Sequence, residues 1–281
     1  MRKEEGIHPY LSQEDRINFC QNGFLHIKNF YPESLISDLK NKISLIIDKI
    51  AENADIDFQN VVLSDHFDAK LEFLLQKDRA LVSTIYDAVK KIPECIQLAS
   101  YKPHQDVTSY LLETDLPGFC PRGWGLRMDN PSEDEFSTQL HQDFSSQLTS
   151  SAGLVFWTPL REVNEDLGPM KVYKGSHKEG IMNLKISGHG SKGLIIADET
   201  VAERYEVVLA KCKPRDAIVL SFLTLHESSP NRSKFTRWSM LSRYFDFDNS
   251  VGREIGWRGG LQENNNFSEL FPNLVIGDDN E

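Results

Sequence analysis

Apolar residues follow a helical spacing through most of the first hundred positions. In PESLISDLKNKISLIIDKIAEN they recur three and four positions apart, with Pro32 in the first turn. Ser12 and Gly23 bracket QEDRINFCQN as helix start and stop signals, and DRALVSTIYDAVKKI predicts a further helix. The sequence therefore predicts a helical part over about residues 10–100.

The pattern changes at about residue 106 to short runs of β-branched and aromatic residues, separated by Gly, Pro, Asn and Asp. Such runs include GLVFWTPL, RYEVVLA, DAIVLSF and RWSMLSRYFDF. Short strands with regular turns are typical of a β-sandwich or barrel. Because no linker separates the two parts, we predict one domain over 1–281, with helices packed on a β core at about 106–248 and a short C-terminal tail.

Charge and composition limit the partners of the chain. The net charge is −11 and there is no basic run, which argues against nucleic-acid binding. No apolar run approaches the roughly 20 residues of a membrane span, and the charged N-terminus lacks the apolar core of a signal peptide. The scattered cysteines suggest neither a zinc cluster nor a disulfide framework. We expect a cytoplasmic protein with no nucleic-acid or membrane partner.

A histidine and an acidic residue one position apart could both bind a metal ion. With 8 His and 42 Asp plus Glu, chance alone places about one such pair in the chain, so context must choose among them. The sequence contains four: His66/Asp68, His104/Asp106, His141/Asp143 and His177/Glu179. On a helix, positions i and i+2 point away from each other, which disfavours the first pair. The second follows Pro103, where a strand could open, so it remains a rival; the fourth lies in a glycine-bracketed turn.

The pair at 141 and 143 has the best geometric case. STQLHQDF has the pattern of a strand, on which both side chains project from one face. Two histidines and one carboxylate are the usual ligand set of non-haem Fe(II). The third ligand could be His177, His189 or His226. We favour His226, at the end of the apolar run DAIVLSFLTL, although a strand-end histidine bonded to nearby backbone is the alternative.

An arginine and a serine share one face of the strand RWSMLSRYFDF. Alternation places Arg237, Ser239, Leu241 and Arg243 on that face. Burying the first two without an anion is costly, and together they suit a carboxylate that accepts from a guanidinium and a hydroxyl. The alternative is that Arg237 pairs with an internal acid such as Asp216.

Four motifs together resemble the phytanoyl-CoA dioxygenase family of Fe(II)/2-oxoglutarate-dependent oxygenases. They are HQD at 141–143, GLVFWTPL at 153–160, GPMKVYKGSHKEG at 168–180 and LHESSPNRSKFTRWS at 225–239. The similarity runs from QNGFLHIKNF to RWSMLSRYFD. Only the HQD at 141–143 is followed closely by a tryptophan-containing strand and a GSH turn; the second HQD, at 104–106, is not. Lys174 stands where the family usually has the proline of a PGSH turn.

The resemblance implies an α+β fold: a double-stranded β-helix, or cupin-like jelly roll, with N-terminal helices packed against it. It implies iron ligands at His141, Asp143 and His226, a receptor for 2-oxoglutarate at Arg237 and Ser239, and a pocket wall at Trp157. Gln139 is a further predicted contact of 2-oxoglutarate. Arg127 could bind a substrate carboxylate or phosphate, or be a surface cation, and His177 is a candidate pocket-wall residue.

The implied activity is hydroxylation of a small-molecule substrate, with consumption of O2 and 2-oxoglutarate and release of succinate and CO2. Because Asp143 fills the carboxylate position, a halide has no vacant site and halogenation is not expected. The alternative is a non-redox cupin-like binding protein or a metal-dependent isomerase, which would not need the Arg237/Ser239 receptor. We predict that the glycine-containing insertion at 183–199 is a mobile lid.

Overall fold

Helices form most of the N-terminal part of the chain. The computed structural model describes residues 8–59, 61–186, 194–260 and 265–276. In the first of these parts and the beginning of the second lie α1 Gln13–Asn22, α2 Glu33–Asn53, α3 Ala69–Lys77, α4 Arg79–Val89, α5 Pro93–Ala99 and α6 Pro103–Leu112. Three short helices follow later: α7 Phe144–Gln147, α8 Ser250–Ile255 and α9 Phe267–Leu270.

Local sequence signals account for the first two helices. Ser12 accepts from the backbone N–H of Asp15, whose carboxylate accepts from the N–H of Ser12 in return, and Gly23 ends α1 with a φ of 77°. Helix α2 buries one stripe of apolar side chains, Ile36, Leu39, Ile43, Ile47 and Ala51. That stripe is the face its sequence spacing predicts.

Helix α6 corrects the predicted start of the β core. The first strand of that part begins at Pro117 rather than near residue 106. Pro103 occupies the first turn of α6, where its missing N–H costs nothing. Val107 and Leu111, four positions apart, are both buried. The β-branched residues of this stretch therefore belong to a helix, and the His104/Asp106 pair does not open a strand.

Antiparallel strands form the rest of the core. They are β1 Phe24–Ile27, β2 Pro117–Phe119, β3 Gly125–Asp129, β4 Gly153–Pro159, β5 Lys171–Tyr173, β6 Leu184–Ile186, β7 Leu194–Ile196, β8 Val207–Leu209, β9 Ala217–Ser221, β10 His226–Glu227 and β11 Arg237–Asp246. The major sheet has the order β1-β9-β4-β11-β2, with β3 also paired to β11. The minor sheet has the order β10-β5-β8, and β6 pairs with β7.

The two sheets and the helices make an α+β jelly roll with two apolar clusters. Along β4, Leu154 and Phe156 face the helices, whereas Val155 and Trp157 face the interior between the sheets. Residues of the minor sheet, such as Val172, belong to the interior cluster. Every position of β4 is buried because both of its faces are covered. The predicted fold class is confirmed.

The predicted lid at 183–199 falls partly on a hairpin. Strands β6 and β7 are antiparallel partners, and Leu184 and Ile196 at its base are buried in the interior cluster. Residues 187–193, which include His189, lie outside the described residues, and the lid remains a prediction. In the described parts of the chain, no helix combines the length and the apolar character needed to cross a bilayer.

Buried His104 gives the fold a predicted dependence on pH. Its Nδ1 lies 3.3 Å from the carbonyl of Ala99, and Nε2 is 2.8 Å from the hydroxyl of Tyr31. A carbonyl only accepts, so Nδ1 carries the proton and the Tyr31 hydroxyl donates to Nε2. Burial lowers the pKa of His104 to about 3. The imidazole is therefore neutral in the folded protein at neutral pH.

We expect His104 to make the protein less stable as the pH falls below about 6.5. Between that value and about 3, the unfolded chain binds a proton at this histidine that the folded chain does not. Each pH unit in this window removes up to about 1.4 kcal/mol from the free energy of unfolding. Urea unfolding of the metal-free protein between pH 7 and pH 4 measures this slope. The variant His104→Gln should show a shallower slope, and parallel slopes in the two proteins would contradict the assignment.

Candidate metal centre

The segment that carries His141 and Asp143 is a turn, not the predicted strand. His141 forms a single antiparallel bridge with His226, and Asp143 already has helical angles, φ −66° and ψ −28°, at the start of α7. The hydroxyl of Ser145 donates to the carbonyl of Gln142, and that of Ser146 donates to the carbonyl of Asp143. Such local bonds compete with a strand ladder. The side chains thus converge through a turn rather than through strand alternation.

Three side chains from two distant segments nevertheless meet at one point. One possible ligand atom each from His141, Asp143 and His226 lie within 4.8 Å of one another. The ring centroids of the two histidines are 4.1 Å apart. Their main chains are bonded reciprocally, with N···O distances of 3.1 and 3.2 Å. The bridge therefore fixes the backbone positions from which both imidazoles project.

Both histidines present the same ring nitrogen to this point. Nδ1 of His141 is 2.8 Å from the carbonyl of Gln139, and Nδ1 of His226 is 3.0 Å from the carbonyl of Thr224. Because a carbonyl only accepts, each Nδ1 must carry the proton, which leaves the Nε2 lone pair for a metal ion. Desolvation, reinforced by the nearby His226, lowers the pKa of His141 to about 3 and keeps that ring neutral.

The two carboxylate oxygens of Asp143 have different surroundings, because Arg243 donates to only one of them. Its Nε and Nη2 donate to Oδ1 at 3.0 and 2.7 Å, and its Nη1 donates to the carbonyl of Gly123. Oδ2 lies 3.3 Å from Nε2 of His226 and has no hydrogen-bond partner in the part of the chain that the structure describes. Two atoms that both carry lone pairs at this separation suit a cation between them.

The same contacts fix the charge of Asp143. Burial alone would raise its pKa, but the Arg243 guanidinium holds the pKa of Asp143 well below the usual range. The carboxylate is therefore ionised at any working pH. The sequence placed Arg243 on the inward face of its strand but gave it no role. A second inward-facing arginine on the strand indicates a second buried anion, and that anion is Asp143.

Gln142, between the two metal-binding candidates, secures the turn. Its Nε2 donates to the carbonyls of Gly180 and Leu223 at 2.8 and 2.7 Å, and its Oε1 accepts from the N–H of Met182 at 3.1 Å. The side chain is buried. At Asp143 the backbone is no longer extended. There the Gln142 amide, bonded to the carbonyl of Leu223, holds the turn against the segment that carries His226.

A second feature of the site is a pair of buried donors on β11. Arg237 is 4% exposed and donates to Asp129 Oδ2 through Nε and Nη2, at 3.3 and 3.1 Å. Considering only the described residues, neither Arg237 Nη1 nor Ser239 Oγ has a hydrogen-bond partner, and both atoms are buried. Buried polar atoms without partners are rare and call for an explanation. An anion in the adjacent cavity provides one.

The alternative partner of Arg237 can be excluded. Asp216 accepts from the backbone N–H groups of Asn29 and Lys213 and contacts His26 at 2.9 Å. The acid beside Arg237 is Asp129 instead. The sequence did not indicate this residue, because its proximity depends on the register between β3 and β11.

One cavity of about 60 Å³ joins the two features. It is lined by Arg127, Asp129, Thr138, His141, Trp157, Met170, His226, Glu227, Ser228, Arg237, Ser239, Leu241 and Arg243. Arg127 and Trp157 are therefore both lining residues of this cavity. The side chain of Gln139 is exposed, and Thr138 forms the wall there. His177 is not among the lining residues; its Nε2 lies 3.1 Å from the carbonyl of Cys20.

The other histidine–acid pairs have contacts away from this cavity. Asp68 is fully buried and accepts from Trp238 Nε1 at 2.8 Å and from Arg161. Asp106 pairs with Lys102, and Glu179 accepts from the hydroxyl of Tyr205 at 2.8 Å. These acids are therefore engaged within the fold, and the described residues bring only the 141/143 pair together with a third histidine.

Comparison with known proteins identifies relatives over most of the chain. The family model described as phytanoyl-CoA dioxygenase (PhyH) matches residues 19–239. A phytanoyl-CoA dioxygenase domain-containing protein 1 homolog from Dictyostelium discoideum is 21% identical over 266 residues, which cover 86% of this chain and 93% of that protein.

Solved structures share the fold at low sequence identity. The epimerase SnoN, in complex with Fe3+, alpha ketoglutarate and nogalamycin RO, has a TM-score of 0.58 at 14% identity, covering 85% of this chain and 86% of that one. EctD from S. alaskensis with bound Fe has a TM-score of 0.56 at 16% identity, covering 88% and 81%. The non-heme alpha ketoglutarate dependent carbocyclase SnoK has a TM-score of 0.54 at 16% identity, covering 85% of both chains.

Proposed function

This chain belongs to the phytanoyl-CoA dioxygenase family, and we propose that it is an Fe(II)- and 2-oxoglutarate-dependent oxygenase that hydroxylates a small molecule. The observation that carries the proposal is that two buried donors, Arg237 Nη1 and Ser239 Oγ, have no partner among the described residues and belong to residues that line the same cavity as His141 and His226. A metal site alone would fit many proteins. A metal site beside a carboxylate receptor fits a keto-diacid that reaches both.

The donor set suits ferrous iron. Two neutral imidazole nitrogens and one carboxylate oxygen make the two-histidine, one-carboxylate arrangement of non-haem Fe(II) oxygenases. The ligand atoms would be Nε2 of His141, Nε2 of His226 and Oδ2 of Asp143, which lie within reach of one another. Oδ2 of Asp143 lacks a hydrogen-bond partner among the described residues, as expected of an atom reserved for a metal.

The receptor suits the distal carboxylate of 2-oxoglutarate. Arg237 and Ser239 would donate to it, and charge-assisted hydrogen bonds of this kind are stronger than neutral ones. Related structures add support: SnoN was solved with Fe3+ and alpha ketoglutarate, and EctD with 2-oxoglutarate and 5-hydroxyectoine. Trp157, buried on β4, forms one wall of the cavity.

When bound, iron and 2-oxoglutarate would supply the activation of O2 coupled to decarboxylation of the keto acid to succinate and CO2. Side chains of the protein would position the iron and the cosubstrate. The two bridged histidines aim their Nε2 atoms, and Arg243 keeps Asp143 ionised and turned with Oδ2 towards the cluster. Arg237 and Ser239 would fix the far end of the cosubstrate, which sets the direction of its keto-acid end.

Hydroxylation is the proposed outcome, and the proposed substrate is a small molecule. Relatives of this fold include an epimerase and a carbocyclase, so the fold alone does not determine the outcome. Gln139 and His177 remain predicted contacts for which the cavity lining offers no support.

The test of the proposed function uses the purified chain with Fe(II) and 2-oxoglutarate under anaerobic conditions. A weak visible metal-to-ligand band should develop only when both are present. Oxygen is then admitted and succinate is measured, with Zn(II) in place of Fe(II) as the matched control. A protein that retains iron but gives neither band nor succinate would instead support the non-redox binding protein or isomerase.

A further inference from the structure

Four inward side chains form a square on two neighbouring strands. In the antiparallel register of β3 and β11, Arg127 lies opposite Ser239, and Asp129 lies opposite Arg237. Directly opposite residues have their side chains on the same face and within contact distance. All four line the cavity that His141 and His226 also line. Arg127 is therefore a direct neighbour of the serine that is proposed to bind the distal carboxylate.

Asp129 connects the two arginines. Its Oδ1 accepts from Nη2 of Arg127 at 2.8 Å, and its Oδ2 contacts Nη2 of Arg237 at 3.1 Å. Burial would raise the pKa of Asp129, but the two guanidinium groups lower it below the usual range. Two cations and one anion leave this square with a net charge of one positive unit. That is the charge that a single carboxylate would neutralise.

Arg127 has hydrogen-bonding capacity to spare. Its Nη2 is used by Asp129 and its Nη1 donates to the hydroxyl of Thr138. A guanidinium has five N–H groups. About one third of this side chain is exposed, and the residue lines the cavity. The side chain is thus held in place by two partners, and it still offers donors to a bound anion.

We infer that Arg127 is a second arginine of the cosubstrate receptor, and that Asp129 sets the charge of this receptor to match one carboxylate. The inference rests on the proposed function. It revises the predicted role of Arg127 as a substrate contact, because the strand register places this residue beside Ser239.

The charge balance leads to a rescue experiment. In the variant Arg127→Gln, Asp129 neutralises Arg237, so the receptor has no net charge and a carboxylate faces the incoming carboxylate. In the double variant Arg127→Gln/Asp129→Asn, both charges are absent and the single positive charge of Arg237 is restored. A residue that touched only the substrate would give no such compensation.

The measurement is an anaerobic titration of 2-oxoglutarate into the Fe(II)-loaded protein, followed by the visible band and with no other substrate present. We expect Arg127→Gln to raise the Kd for 2-oxoglutarate about 10–100-fold, in line with the loss of a charged hydrogen-bonding partner. The double variant should return to within roughly fivefold of the parent. Arg127→Lys, which keeps the charge, should also stay within about fivefold. Arg232→Gln is the matched control, since Arg232 forms an exposed pair with Asp134.

Each different result would contradict a particular part of the inference. A parent-like Kd in Arg127→Gln would overturn the assignment of Arg127, and a weakened Kd without rescue would overturn the charge balance. Arg127→Lys covers the case in which the glutamine variant does not fold, because a large loss of affinity in a folded lysine variant also contradicts the inference. If the parent itself gives no band with 2-oxoglutarate, the proposed function fails rather than this extension of it.

Discussion

Replacing Asp143 with alanine is expected to abolish succinate formation and to lower the affinity for Fe(II) by more than about 100-fold, because even changes to groups that merely support metal ligands cost about 10–100-fold. The substitution removes the carboxylate whose Oδ2 has no partner within the described residues. Asp143 is the one acidic member of the cluster, so the site also loses its negative charge. Iron content after dialysis and succinate yield measure the two effects.

Asp143→Asn separates the loss of the ligand from the loss of structure. An asparagine oxygen can still accept from Arg243, whose Nε and Nη2 bind Oδ1 in the parent. Its amide nitrogen would then replace the metal-binding oxygen, and a protonated amide nitrogen offers no lone pair to a metal. Asp134→Asn, at an exposed ion pair, is the control. An Asp143→Asn protein that retains iron like the parent would show that Asp143 is not a ligand.

The second large effect is expected from Arg237→Ala, which should raise the 2-oxoglutarate requirement about 100-fold or more, the equivalent of losing charged hydrogen bonds of about 1.5–3 kcal/mol each. Iron should remain bound, since none of the three ligand residues depends on Arg237 for a hydrogen bond. Asp129 keeps Arg127 as a partner, so the substitution leaves no isolated buried carboxylate. The KM for 2-oxoglutarate and the iron content of the same preparation test this prediction.

Arg237→Lys refines the test, because lysine keeps the charge but loses the planar fork. An intermediate KM is expected, with a smaller loss than for alanine. If Arg237→Ala and the parent have the same KM for 2-oxoglutarate, the receptor lies elsewhere. If Arg237→Ala loses iron as well as cosubstrate, the arginine supports the fold of the site and its assignment to the carboxylate is unproven.

Alternation along one strand was enough to predict which side chains of β11 face the cavity. Arg237, Ser239, Leu241 and Arg243 line the cavity, as the period of two along β11 requires. Trp238, Met240 and Tyr244 belong to the cluster that faces the helices. A strand buried on both faces must place its polar side chains where something can satisfy them. For this reason inward polar residues are informative even in a single sequence.

Features that depend on register and on turns could not be predicted in this way. Asp129 reaches Arg237 only because β3 pairs with β11 in one register, and the sequence of β3 does not specify it. The turn at Asp143 follows a residue that bridges like a strand, so the local pattern predicts a strand where a helix begins. The α6 segment has β-branched residues but obeys its proline start and its helical spacing.

The most direct test of the central claim is an anaerobic crystal structure of the chain with Fe(II) and 2-oxoglutarate, using anomalous scattering to locate the iron. We expect one iron peak bound by Nε2 of His141, Nε2 of His226 and Oδ2 of Asp143. The distal carboxylate of 2-oxoglutarate should contact Nη1 of Arg237 and Oγ of Ser239. An iron peak away from these three residues, or 2-oxoglutarate that contacts neither Arg237 nor Ser239, would contradict the account.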